Sequence, residues 1–397
     1  MLKRLSVAEL KPGMYVIEIS RQSGDMLVKT EGALRDQAAI TALSQLGIEE
    51  VIVDTARQAG GRDGAATSKP AAKRAGTTTK PIALDRELSH ANELYDDALK
   101  TLAELMAALP PGQPLPSEAT RSMVREFMGS LLRNSDALIC LAHLRERDRY
   151  LLEHALNGSI LMTVFGRALQ LPETDVEQLA LAALWHDIGK IRLDAAVLDK
   201  PGRLTAEEFR EVRRHVEYGL EMTDGLPGFT ALMRDAIAHH HERLDGNGYP
   251  NKLRGDDISK AGRMMAIVDS YDAMTAPRFY RNAVTAVRAF KVLRADSYAL
   301  YDAELVMAFI KAIGFYPAGS LIKLKSQRLA FVLAANPDKP YQPLVKVFYH
   351  ARFRQPLPVQ DVDLADPDCD DDIEASVRPE QFKLDLLQFF RTVVLPA

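Results

Sequence analysis

The sequence predicts a mainly α-helical protein, with a small strand-containing unit at its N-terminus and a short β-rich extension at its C-terminus. Three observations carry that expectation. Apolar residues recur at helical spacing through Leu84, Leu88, Leu94, Ala98, Leu102, Leu105 and Leu109, the mark of an amphipathic helix. The stretch from about Asp148 to Ala312 is strongly helical and shows several helix starts. The two flanks read differently. KPGMYVIEIS and EEVIVD near the start, and GSLIKLKSQRLAFVLAANPDKPYQPLVKVFY near the end, are short β-branched or alternating runs bounded by Gly, Pro or acidic residues.

Taken in order, residues 1–55 form the small N-terminal unit. Residues 56–80 (ARQAGGRDGAATSKPAAKRAGTTTK, ending at Lys80) are poor in large apolar side chains and read as a flexible linker. Residues 84–147 form a helical connecting region, broken by PPGQPLPS and resuming as a second helical run from about Glu118 to Leu144. Residues 148–317 hold most of the chemistry. Thr174 with Glu177, and Thr205 with Glu208, have capping-box spacing. Ser259 is placed to cap the helix carrying Asp269, and Pro277 limits how far that helix runs. Residues 318–397 form the extension: two or three short strands around an NPDKP turn, an acidic tract from Asp361 to Asp372, and a short amphipathic segment.

The bulk numbers narrow the function. A chain of 397 residues is long enough for more than one domain. Its 47% hydrophobic and 26% charged content is that of a soluble globular protein. A net charge of −4 argues against a DNA or RNA polymer as partner, though not against a small phosphodiester in a locally positive pocket. No window approaches the ~18 apolar residues of a membrane span, and the start has no signal-peptide core. Cys140 and Cys369 lie far apart without CxxC spacing, which suits a reducing, cytoplasmic setting.

Six of the nine histidines fall between His154 and His241: His154, His186, His215, His239, His240 and His241. Each alone is an ordinary helical histidine. Together with Asp187 and Asp269 they offer the imidazole and carboxylate ligands that iron and manganese take. His186 and Asp187 end an apolar helix, LALAALWHDIGK, and Asp269 lies within the apolar RMMAIVDSYDAMTA. Buried carboxylates there are costly unless a cation compensates them.

HDIGK (186–190), RRHVEYG (213–219), HHERLDGNGYP (240–250), AIVDSYDAMTAPRFYR (266–281) and the loop VLDKPGRLTAEEF (197–209) resemble the HD-GYP subgroup of the HD phosphohydrolases over roughly 148–317. Residues 1–55 resemble a small domain of unknown function often found ahead of HD-GYP domains, and GFYPAGSLIKL resembles the tail that often follows them. The resemblance implies an HD-domain helical bundle that hydrolyses cyclic di-GMP to pGpG, with GMP as a further product, by a hydroxide activated between two divalent metal ions, iron or manganese. It implies His154, His186, Asp187, His215, His240, His241 and Asp269 as metal ligands, with Asp187 bridging. Asp187 and Lys190 are the implied catalytic pair, Lys190 meeting the scissile phosphate. Arg278 and Arg281 would hold the ligand's phosphates or guanine. Asp245, Gly246, Gly248, Tyr249 and Pro250 form a loop beside the substrate, linked in the family to contacts with GGDEF-domain proteins; the sequence leaves the oligomeric state open, a homodimer included.

Some family members carry a Glu four residues before the first histidine, helping to hold a third metal. Here Tyr150 stands at that position, and the adjacent Glu153 does not share a helix face with His154. Two metals are therefore expected, not three. His239 is expected to be a supporting or surface residue. Two alternatives stand beside the phosphodiesterase: a catalytically weak receptor for cyclic di-GMP or a GGDEF partner, and a hydrolase for another cyclic dinucleotide such as a hybrid cyclic GMP–AMP.

Overall fold

Strands dominate the N-terminal part because β-branched residues alternate there. Strand β4 (Ile48–Gln58) lies between β1 (Leu2–Ser6) and β2 (Met14–Gln22), and β3 (Gly32–Ala33) pairs with the outer side of β2. All pairings are antiparallel. Val51 and Val53, two residues apart and so on one face of β4, pack with Leu5, Val7, Leu10 and Val16 into a small core. The computed structural model describes residues 2–11, 14–22, 32–34, 37, 40–41, 48–58, 83–108, 117–144, 150–198, 200, 202–276 and 283–395. The chain divides into two compact units, Met1–Thr77 and Thr78–Ala397. Of the expected linker, Ala56–Gln58 belong to β4, and residues 59–80 lie outside the described residues.

The second unit is helical. It runs through α1 (Leu84–Ala108), α2 (Ser117–Arg133), α3 (Ser135–His143), α4 (Tyr150–Ala168), α5 (Glu173–Trp185), α6 (Ala206–Arg213), α7 (His215–Thr223), α8 (Ala231–His239), α9 (Lys260–Thr275), α10 (Ala286–Ala295) and α11 (Ala303–Ile313). Helix α5 is apolar almost all round, which is the pattern of a core helix; Leu179 through Trp185 are all buried. Helix α9 is buried along most of its length. Its Tyr271 stacks on Phe290 of α10 at 5.0 Å and meets Phe309 of α11 edge-on at 5.2 Å. No helix among the described residues is long and apolar enough to cross a membrane.

Two expected elements are corrected. The run from Glu118 to Leu144 is two helices. Asn134 adopts extended backbone between them, and its side chain accepts a hydrogen bond from the Asp136 amide as the cap of α3. The Thr174–Glu177 box does not form. The chain enters α5 at Pro172, whose carbonyl already accepts from the amides of Asp175 and Val176, so Thr174 lies inside the first turn. The Thr205–Glu208 box and the Ser259 cap do form.

The C-terminal extension is a five-stranded antiparallel sheet of order β8-β7-β6-β5-β9: β5 (Leu321–Leu324), β6 (Arg328–Ala334), β7 (Leu344–His350), β8 (Gln355–Asp363) and β9 (Ile373–Ser376). The period of two in β6 decides what each face covers. Leu329, Phe331 and Leu333 join the helical core, while Ala330 and Val332 face a second small core with Ile322, Leu324, Val345 and Val347.

One buried charge joins α1 to α2. Glu87 is 2% exposed. It accepts from Ser130 Oγ at 2.7 Å and from Arg133 Nε and Nη2 at 2.7 and 2.8 Å, a bidentate pair. Arg133→Met leaves that carboxylate buried without its cation. It is expected to cost the helical unit about 3 kcal/mol, measured as a lower urea midpoint at unchanged slope.

Candidate metal centre

The HD pair sits where a buried helix ends. His186 caps the C-terminus of α5, and Asp187 (φ −100°, ψ 4°) turns the chain into a tight helical segment, Ile188–Arg192. Gly189 lets that segment press against α7. A Cβ at Gly189 would lie 2.0 Å from the His215 carbonyl oxygen and 2.5 Å from the Gly219 nitrogen, so no side chain fits. This close approach brings His215, the first residue of α7, beside Asp187. His240 caps the end of α8 with His241 next to it, His154 lies in the second turn of α4, and Asp269 lies on α9.

The structure brings all seven expected ligand residues together in two groups. Asp187, His215, His240 and His241 form one; His154, His186 and Asp269 form the other; within each group the candidate ligand atoms lie within 4.8 Å of one another. Both carboxylates span the groups. Asp187 Oδ1 lies 3.3 Å from His215 Nε2, and its Oδ2 lies 3.5 Å from Nε2 of both His154 and His186. Asp269 Oδ1 lies 3.3 and 3.7 Å from the same two nitrogens, and its Oδ2 lies 3.7 Å from His241 Nδ1.

Hydrogen bonds on the far side of each ring assign the protons. Nδ1 of His186, His215 and His240 lies 2.8, 2.7 and 2.6 Å from the carbonyl oxygens of Ala183, Val212 and Ile237. A carbonyl only accepts, so each Nδ1 carries the proton and each Nε2 is left with a bare lone pair. His154 Nδ1 donates in the same way to Asp272 Oδ2 at 2.6 Å. Yet Nε2 of His154 and His186 lie 3.2 Å apart, and Nε2 of His215 and His240 lie 3.3 Å apart. Facing lone pairs repel unless a cation lies between them. Asp187 Oδ1 is also buried and accepts no hydrogen bond. These donors fit divalent metal ions of the kind that take mixed imidazole and carboxylate ligands.

Burial works against ionising the two aspartates. For Asp187 the adjacent Lys190 ammonium outweighs it, and for Asp269 its polar contacts with the surrounding imidazoles do so. Both carboxyls are held well below the usual range. Burial has the opposite effect on the rings, holding His215 and His240 below the ordinary imidazole value and His241 down to about 3. The centre thus holds carboxylates that stay charged and, at His215, His240 and His241, imidazoles that stay neutral, the protonation states a metal requires.

The remaining expected residues sit around it. Lys190 Nζ donates to Asp187 Oδ2. The Tyr249 ring lies over His241, centroids 4.5 Å apart, and burial beside Asp269 and Asp187 raises its phenol. Gly248 touches the chain it folds back on: a Cβ there would lie 2.4 Å from the Arg243 nitrogen. Gly246 has φ +77° and turns the loop. Asp245 is not brought into the cluster of seven; its carboxylate closes its own turn by accepting from Asn247 N and Nδ2, both at 2.9 Å. His239 turns to Ser259 Oγ at 3.3 Å. Tyr150 begins α4. Arg278 and Arg281 lie outside the described residues.

Two positioning residues escaped the sequence reading. Asp272, fully buried, fixes His154; its signal was the three-residue spacing from Asp269, which puts both on one face of α9. Glu242, 1% exposed, accepts from the amides of Asn251 and Leu253 at 2.7 and 3.0 Å and so folds the loop carrying Tyr249.

Comparison with known proteins gives a concordant picture. Residues 140–305 match the HD domain family, and residues 2–120 match a domain of unknown function, DUF3391. The cyclic di-GMP phosphodiesterase PA4108 of Pseudomonas aeruginosa is 36% identical over 370 residues, covering 92% of this chain and 89% of that protein. A cyclic di-GMP phosphodiesterase of Thermotoga maritima is 37% identical over 47% of this chain and 50% of its own length. A 3'3'-cGAMP-specific phosphodiesterase of Vibrio cholerae, phosphodiesterase 3, is 36% identical over 43% of this chain and 37% of its own.

Asp272→Asn keeps the shape of the residue behind His154 but removes its charge. It is expected to weaken metal binding about 10- to 100-fold, read by competition with a chromogenic chelator. The buried rings also set a pH dependence for the metal-free protein. An unfolded His241 binds a proton near 6.5, while the folded one resists down to about 3. Its contribution is therefore complete above about pH 6.5 and is lost as the pH falls towards 3. By about pH 5 that loss is ~2 kcal/mol from His241 alone, measured by urea unfolding in chelator at about pH 7 and about pH 5.

Proposed function

The chain belongs to the HD-GYP family of HD-domain phosphodiesterases, and we propose that it hydrolyses cyclic di-GMP to the linear dinucleotide pGpG at the His/Asp centre. The observation that carries this reading is the facing of unprotonated Nε2 atoms, 3.2 and 3.3 Å apart, beneath two carboxylates that each reach both groups. His154, His186 and Asp269 would hold one cation; His215, His240 and His241 would hold the other; Asp187 would reach both. Two divalent cations, iron or manganese by the donor types, would supply a water of lowered pKa and neutralise charge on the phosphoryl oxygens.

The chain's own side chains do the rest. Lys190 keeps Asp187 ionised and stands at the edge of the centre, where its compact charge suits a phosphoryl oxygen. Tyr249 covers His241 and limits water on that side. Cyclic di-GMP is favoured over a hybrid cyclic GMP–AMP because the Pseudomonas relative aligns along nearly the whole chain and the Vibrio one over less than half. Cys140 and Cys369 are unpaired, which suits a reducing cytoplasm.

The test is turnover of cyclic di-GMP by the purified protein, loaded anaerobically with Fe(II) or Mn(II), with products separated by chromatography. pGpG is the expected product. His186→Ala and Asp187→Ala should lose at least about a hundredfold in rate and most of the bound metal, with an unchanged helical circular dichroism spectrum. Metal and dinucleotide both bound, with no product, would replace the enzyme by a receptor.

A further inference from the structure

Arg213 is the last residue of α6, two residues before His215. Its neighbours are paired. Arg210 meets Glu207, Arg214 meets Glu211 and Glu217, Lys200 meets Glu208, and Arg192 meets Glu221. No carboxylate of the described residues pairs with Arg213. Among the described residues its side chain makes no ion pair or hydrogen bond, and its Nε is shut off from water without an acceptor.

Two aromatic rings hold it instead. The guanidinium carbon lies 4.4 Å from the ring centre of Phe209 and 4.9 Å from that of Tyr249. Phe209 lies one helical turn back on the same face of α6, and Tyr249 lies in turn over His241. The result is a layered stack: Phe209, Arg213, Tyr249, His241. Two ring faces attract the partly buried charge and lock the plane of the fork. They offer no acceptor for its N–H groups, and the buried Nε–H left without one is costly. Arg213 is a cation fixed one ring away from the metal centre and short of an anion.

A cyclic dinucleotide has two phosphodiesters, and the centre can engage only one for cleavage. The other arrives with a full negative charge that needs a partner nearby. Resting on the phosphodiesterase reading above, we propose that Arg213 binds the second, uncleaved phosphodiester of the substrate. A whole uncompensated charge favours a phosphate over the neutral edge of a base, and the planar fork suits two phosphoryl oxygens. The residue then sets selectivity for dinucleotides over simple phosphodiesters, without touching the reacting atoms.

The experiment compares Arg213→Gln and Arg213→Lys with the unaltered protein on two substrates: cyclic di-GMP, and bis(p-nitrophenyl) phosphate, which has a single phosphodiester. Arg213→Gln should raise KM for cyclic di-GMP about 10- to 100-fold while kcat changes less than about twofold. Turnover of the small diester and bound metal should not move. Arg213→Lys keeps the charge but not the fork, and its KM should fall between. Equal losses on both substrates, lost metal, or unchanged KM for cyclic di-GMP would each overturn the assignment. An unaltered protein that cleaves the small diester but neither cleaves nor binds cyclic di-GMP would instead overturn the phosphodiesterase reading, and Arg213's role with it.

Discussion

Everything around the centre depends on how five imidazoles and two carboxylates can be buried together. Neutral rings are tolerable inside a protein, but a buried carboxylate without a compensating charge is not. Asp187 and Asp269 both stay ionised, so the helical unit has to supply positive charge at that point. Lys190 supplies one such charge on Asp187. The rest of the arrangement, with lone pairs directed inward, is built for cations that the chain does not itself contain.

The fold meets that constraint by using helix ends. The last carbonyls of a helix have no partner along its own axis. Ala183 near the end of α5, Val212 near the end of α6 and Ile237 near the end of α8 are such carbonyls, and each takes the Nδ1 proton of the histidine three residues on. One bond answers two needs. It satisfies the orphan carbonyl, and it sets the tautomer that leaves Nε2 free for a metal. The negative end of each helix dipole lies on the same side, which further favours cations there. His154 sits within a helix, where carbonyls are already taken, and so requires a side chain; Asp272 is that side chain.

This logic explains which parts were legible in the sequence. Six of the seven donors lie in the short motifs HDIGK, RRHVEYG, HHERLDGNGYP and AIVDSYDAMTAPRFYR, which are informative in combination, while His154 lies outside them; glycines such as Gly189 mark where backbone must touch backbone. Asp272 was harder to see, because a second acid in an apolar helix has the same signature whether it reaches a metal or a ring. The helix starts divided on local competition. Thr205 stands just outside its helix and caps it, whereas Thr174 has the same spacing but follows Pro172, whose fixed φ lets the helix begin earlier. Asn134 broke a run that apolar periodicity alone joined, because its side chain competes for an amide the helix would otherwise use. Arg213 was visible as a letter in RRHVEYG, but its lack of a carboxylate partner among the described residues is a property of three dimensions only.

The charge inventory also bears on how many cations the centre suits. The seven donors carry two negative charges when metal is bound, one each from Asp187 and Asp269, because a ligating imidazole is neutral. Two divalent cations would leave a net excess of two positive charges, which an activated hydroxide and one phosphodiester of the substrate would cancel. A third cation would raise that excess and needs another acidic ligand facing the cavity. Asp272 is committed to His154, and the position four residues before His154, one helical turn away, holds Tyr150, which carries no carboxylate. The same balance explains why a cation such as Arg213 is tolerated so close by. An incoming dinucleotide brings one phosphodiester to the centre and one beyond it, so positive charge is needed at two points, and one ring's thickness separates them.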